Sequence, residues 1–271
     1  MGRVTALENF SIHTETVGDD DADYKVVFLH GLFGRGKNFS RIAAGLTPEA
    51  QSLLVDLPNH GQSDWTEKFD YLELADMVAA ELQKSFAADG PVNVVGHSMG
   101  GKVAMLLALR HPELVHKLVV LDISPTTATS GRGEFQHLLG SLTGLDLSTI
   151  ERRSDADEQL KDKIDHPTVR GFLLQNLRYE PNGFRWEPNL DLLYRELETI
   201  MAFPEGLTEQ FEGPVLWIGG GRSDYVTDED VPAMRALFPR THRMTFKEAG
   251  HWIHSEQADE TIATLRYFFS R

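Results

Sequence analysis

Short apolar runs constrain this chain more than any other feature: residues 26–29 (VVFL), 52–55 (SLLV), 92–95 (VNVV), 118–121 (LVVL) and 215–218 (VLWI). Each has strand length, is rich in branched side chains and does not alternate with polar residues. A strand buried on both faces needs that pattern. Between the runs the spacing turns helical: residues 72–86 put Leu74, Met77, Val78 and Leu82 on one face, and residues 102–110 run on from a glycine pair. Strand alternating with helix predicts an α/β fold, a doubly wound and mostly parallel sheet with ligand sites at the C-terminal ends of its strands.

The alternation stops after Pro125. From Thr126 to about Gly213 the chain reads as polar loops and amphipathic helices with no comparable strand run, and the strand pattern resumes at Pro214. The expected organisation is a core of residues 1–125 and 214–271 with a helical cap inserted at 126–213. A chain of 271 residues suits one such domain.

Composition narrows the chemistry. A formal net charge of −15 repels a phosphate backbone, and no cluster of Lys and Arg offsets it, so nucleic acid is not expected as a partner. The absence of cysteine removes disulfides, thiolate zinc sites and cysteine nucleophiles. No metal is expected, because no H-E-x-x-H or comparable ligand spacing occurs. Gly219-Gly220-Gly221 lacks the Lys-Ser/Thr of a phosphate loop, which disfavours phosphoryl transfer. The first residues lack the basic start and apolar run of a secretory signal, and no stretch approaches the ~20 apolar residues of a membrane span. A cytoplasmic location is the expectation.

Within VNVVGHSMGGKVAMLLAL, Gly96-His97-Ser98-Met99-Gly100 falls where a strand hands over to a helix, the setting of a nucleophile elbow. Acyl transfer through Ser98 builds charge on the substrate carbonyl oxygen, so backbone donors must face it. Met99 supplies one amide, and the loop FLHGLFG brings another from Leu32 or Phe33, with Leu32 preferred; His30 organises that loop. Ser98 needs a base from a separate loop. His251, after Gly250 in KEAGHWIHSEQ, is that base; His254 is its competitor, and the nine other histidines read as surface or packing residues. The acid that orients the base stays open on these residues alone, between Asp122 in LVVLDISP and Asp224 in GGGRSDYV. Asp56 in VDLPNHGQSD reads as a turn residue. Phe33, Phe172, Leu173, Leu177, Phe184 and Trp186 are candidates to line an acyl pocket.

Together HGLFGRGKNF, VDLPNHGQSD, GHSMGGKVAM, VVLDISP and EAGHWIHSE resemble one branch of the α/β-hydrolases, the YbfF-type bacterial esterases and their mitochondrial abhydrolase relatives. The resemblance runs along nearly the whole chain and includes FLLQNL and FRWEPNLDLL in the insertion. It implies an α/β-hydrolase fold and hydrolysis of carboxylic esters and acyl thioesters, acyl-CoA among them. It also implies that Asp122 carries the acid and that Ser223 assists the histidine, although Asp224 stands directly beside Ser223. The resulting expectation is a cofactor-free serine hydrolase of small acyl esters or thioesters, with no membrane span. Transfer of the acyl group to an alcohol, haloperoxidase or C–C hydrolase chemistry on the same residues, and a non-catalytic ligand scaffold are the alternatives.

Overall fold

The computed structural model describes residues 10–128 and 131–271. In chain order the main sheet contains β1 (Thr14–Val17), β2 (Tyr24–Leu29), β3 (Ala50–Val55), β4 (Val92–His97), β5 (Val115–Leu121), β8 (Val215–Gly220) and β9 (Thr241–Phe246). Their order across the sheet is β1-β3-β2-β4-β5-β8-β9; β1 is antiparallel to β3, and every other neighbouring pair is parallel. The continuous apolar runs follow from burial on both faces. Val27 and Leu29 of β2 enter one core cluster, while Val26 and Phe28 enter the other.

The first cluster is closed by α2 (Tyr71–Lys84) and α3 (Met99–Arg110), the second by α1 (Ser40–Leu46) and α11 (Ala258–Phe269). The apolar face predicted for 72–86 is that of α2, with Leu74, Met77, Val78 and Leu82 buried; Asp70 caps its start by accepting from the Leu72 and Glu73 amides. The helix expected from Lys102 begins three residues earlier, at Met99, directly after Ser98. The chain crosses from β2 out to β3 and returns as β4 on the other side of β2. That reversal opens a crevice between the C-terminal ends of β2 and β4, where the HGLFG loop and Ser98 meet.

Between β5 and β8 lie α4 (Arg132–Thr143), α5 (Arg153–Leu160), α6 (Pro167–Leu174), α7 (Leu190–Arg195) and α8 (Leu197–Met201). The expectation of helices and loops alone is corrected here, because β6 (Leu177–Glu180) and β7 (Gly183–Trp186) form an antiparallel hairpin. Its strands are four residues each, too short to stand out, and Pro181 and Asn182 make its turn. The segment is tied down onto the core. Asn176 Nδ2 donates to the Phe33 carbonyl at 2.8 Å, Trp65 Nε1 to the Glu187 carbonyl at 3.0 Å, and the Asn189 amide to the Asn59 carbonyl at 2.9 Å. Among the described residues, no helix is long and apolar enough to cross a membrane.

Candidate active site

Ser98 sits on a turn that only its neighbours make possible. Its backbone is at φ 52°, ψ −121°, a region costing a non-glycine residue about 1–3 kcal/mol. Two hydrogen bonds hold it there: the Ser98 amide donates to the Leu121 carbonyl at 3.1 Å, and the Ser98 carbonyl accepts from the Lys102 amide at 3.1 Å. The flanking glycines are required by close approach. A Cβ on Gly96 would lie 2.4 Å from the Gly100 carbonyl oxygen, and one on Gly100 would lie 2.4 Å from both the Leu29 and His30 carbonyl oxygens.

His251, in the loop between β9 and α10 (Ile253–Glu256), comes within 3.0 Å of Ser98 Oγ through Nε2. Its Nδ1 lies 2.8 Å from Asp122 Oδ2. Asp122 follows β5 at φ 50° and is fully buried, with its own amide donating to the Ile218 carbonyl at 2.8 Å. Its Oδ1 accepts from the Gly220 amide at 2.8 Å, and its Oδ2 accepts from Ser223 Oγ as well as from His251. Because a carboxylate only accepts, His251 carries its proton on Nδ1 and presents the Nε2 lone pair to the Ser98 hydroxyl. The structure therefore brings Ser98, His251, Asp122 and Ser223 together. Asp224, the other candidate acid, is exposed and makes no hydrogen bond to His251.

A second layer of imidazoles supports this arrangement. His97 Nε2 donates to the His251 carbonyl at 2.8 Å, pinning the loop that carries His251 to the end of β4. His254 is turned away from Ser98, its ring 4.6 Å from His97 and 4.6 Å from Phe39. Burial, joined by the charge of nearby His251, brings its pKa down to about 3. His30 is also buried, its pKa lowered to about 4; Nδ1–H donates to the Gly31 carbonyl at 2.8 Å and Nε2 accepts from the Leu57 amide at 2.9 Å. It holds the two loops together. Asp56 acts similarly, accepting from the Gly36 amide at 2.7 Å and the Gln62 amide at 2.9 Å.

The Leu32 and Met99 amides have no hydrogen-bond acceptor among the described residues, and both residues border the space over Ser98. That space falls into two narrow adjoining pieces that share Leu32, Ser98 and Phe135. Phe33, Phe172 and Leu173 line the first piece as expected. Leu177, Phe184 and Trp186 line neither and pack into the core cluster instead, because the hairpin carries them away. Sequence reasoning passed over Phe135, Trp252, Tyr225 and Lys102, all at the site. Trp252 and Tyr225 had a signal in their position beside His251 and Asp224; Phe135 had none. The Tyr225 ring lies 4.3 Å from that of His251, and burial pushes its hydroxyl up to about 12, so it stays protonated. A larger groove of about 960 Å³ includes Tyr24 and Asn93, at the opposite ends of β2 and β4, and contains none of these residues. Among the described residues, no group of three or more His, Cys, Asp or Glu is placed to hold a metal ion.

Comparison with known proteins agrees with this architecture. Residues 26–264 match the family described as the Alpha/beta hydrolase family. The sn-1-specific diacylglycerol lipase ABHD11 of Mus musculus is 36% identical over 256 residues, covering 90% of this chain and 80% of its own. Esterase YbfF of Escherichia coli (strain K12) is 26% identical over 265 residues, covering 96% and 98% respectively. The solved structure of a marine microorganism esterase superposes with a TM-score of 0.91 at 31% identity, covering 96% of this chain and 99% of that one.

Proposed function

The chain belongs to the alpha/beta hydrolase family, its relatives named as esterases and lipases make it a hydrolase, and on that premise we propose that it cleaves small carboxylic esters and thioesters through an acyl-serine. The observation that carries the reading is the continuous hydrogen-bonded line from Asp122 through His251 to Ser98 Oγ, at 2.8 and 3.0 Å. His251 Nε2 takes the Ser98 proton as Oγ attacks the carbonyl carbon. The Leu32 and Met99 amides receive the developing oxyanion, and Asp122 stabilises the imidazolium. On collapse the carbon–oxygen or carbon–sulfur bond breaks, and His251 returns the proton to the departing alcohol or thiol. Water then repeats the sequence on the acyl-serine and releases the acid. The residues inserted between β5 and β8 act as a cap that encloses this chemistry.

Hydrolysis of p-nitrophenyl acetate by the native chain and by Ser98→Ala tests the proposal. Turnover by the native chain that is lost in a folded Ser98→Ala supports it; equal turnover by the two proteins overturns it.

A further inference from the structure

If Ser98 is the acylated residue, the four groups around the tetrahedral carbon have fixed places. One is Ser98 Oγ, and the oxyanion takes the Leu32 and Met99 amides. The leaving group must face His251 Nε2, which returns its proton. The piece of cavity that contains His251 is walled by His97, Phe172, Leu173 and Trp252, and Met99 does not border it. The other piece contains Met99, Ile123, Ile200, Met201, Tyr225 and Lys102, and His251 does not border it. The acyl chain therefore points into the second piece, and the alcohol or thiol into the first.

The floor of that second piece is the end of α8, and it is fastened unusually firmly. Lys102, on α3 one turn after Ser98 and 1% exposed, donates from Nζ to the carbonyls of Ile200 at 3.1 Å, Met201 at 2.7 Å and Ala202 at 2.8 Å. Tyr71 Oη adds a donation to the Ile200 carbonyl at 2.7 Å, the Ala128 amide one to the Met201 carbonyl at 2.9 Å, and the Tyr71 ring lies 5.6 Å from Lys102 Nζ. A cation at the C-terminus of a helix meets its partial negative charge, which opposes the lowering of this ammonium by burial, to about 7. All three protons of Lys102 are engaged, so none is free for a carboxylate on a substrate. The remaining lining is apolar apart from Tyr225, Ser98 and backbone groups.

We infer that this pocket is the acyl subsite, that it accepts a short uncharged acyl group, and that Lys102 sets its depth by holding Ile200 and Met201 in place. Lys102 is a positioning residue: it acts through the end of α8. The inference rests on the reading of Ser98 as the acyl-serine.

The test compares kcat/KM across p-nitrophenyl esters from acetate to octanoate, and across acetates of differing leaving groups, for the native chain, Met201→Ala, Lys102→Met and Phe172→Ala. A single methylene in an apolar pocket changes kcat/KM by about tenfold or more. Met201→Ala and Lys102→Met are therefore expected to raise the hexanoate-to-acetate ratio by about tenfold while leaving the leaving-group ratios near native. Phe172→Ala is expected to do the reverse. A purely structural role for Lys102 would lower activity on all esters alike and leave the ratio unchanged. Should Lys102→Met not fold, Met201→Ala decides the location of the subsite. An acyl-length ratio that moves in Phe172→Ala but not in Met201→Ala overturns the inference and leaves the hydrolase reading standing. A native chain that hydrolyses no ester removes both.

Discussion

Replacing Asp122 by Asn changes one atom and should remove the base without disturbing the fold. Asp122 Oδ1 accepts from the Gly220 amide at 2.8 Å, so the amide oxygen of Asn is drawn to that side. The –NH2 group then takes the place of Oδ2, facing His251 Nδ1 and Ser223 Oγ. Nδ1 must now accept, so the imidazole proton moves to Nε2 and points at Ser98 Oγ, 3.0 Å away. A protonated Nε2 cannot take the serine proton. In serine proteases the equivalent change lowers kcat by about 10⁴, or about 5.4 kcal/mol of transition-state stabilisation, and the buried, fully hydrogen-bonded Asp122 predicts a loss of the same order here. The assay is kcat/KM for p-nitrophenyl acetate, with circular dichroism to verify folding and Asp224→Asn as the control. Asp224→Asn should stay within about twofold, as its carboxylate is exposed and unconnected to His251. Retention of more than about a tenth of native activity by Asp122→Asn, or a large loss in Asp224→Asn, would mean that Asp122 does not orient His251.

Three further outcomes follow from the same geometry. Ser223→Ala removes one charge-assisted donor from Asp122 and should lower kcat/KM by about tenfold with little change in stability, measured on the same ester. Gly100→Ala would force a Cβ against the Leu29 and His30 carbonyls and should cost about 3 kcal/mol or more in urea denaturation; a change below about 1 kcal/mol would show that the elbow can shift. Burial lowers His30 to about 4, and His60 and His254 to about 3, from 6.5, so the unfolded chain binds more protons than the folded one below about pH 6.5. Stability should fall as pH drops from 6.5 toward 4, by up to about 1.4 kcal/mol per pH unit for each histidine; His254→Phe should remove one proton from that slope, and a flat profile between pH 6.5 and 5 would contradict it.

The five inner strands of the central sheet were legible because two-sided burial writes itself as an unbroken apolar run, whereas the edge strands β1 (TETV) and β9 (THRMTF) and the four-residue hairpin strands carry no such run. Ser98 was legible because its glycines answer a steric demand that shows up locally, between a strand and a helix. The choice between Asp122 and Asp224 was not, on residues alone. It depends on β5 lying next to β4 and on the Gly220 amide meeting the carboxylate from the end of β8, neither of which leaves a mark in the local pattern. Lys102 read as an ordinary residue at the start of a helix; its burial is created by carbonyls about 100 residues further along the chain. Phe135 likewise reaches Ser98 only through the path of the inserted segment.

Covalent labelling reports on Ser98 as the nucleophile without depending on the choice of substrate. The native chain would be treated with a fluorophosphonate and the modified residue mapped by mass spectrometry, alongside Ser98→Ala. A single adduct on Ser98 is expected, absent from Ser98→Ala and slower to form in Asp122→Asn. A folded native chain that stays unlabelled, or an adduct on another residue, would contradict it.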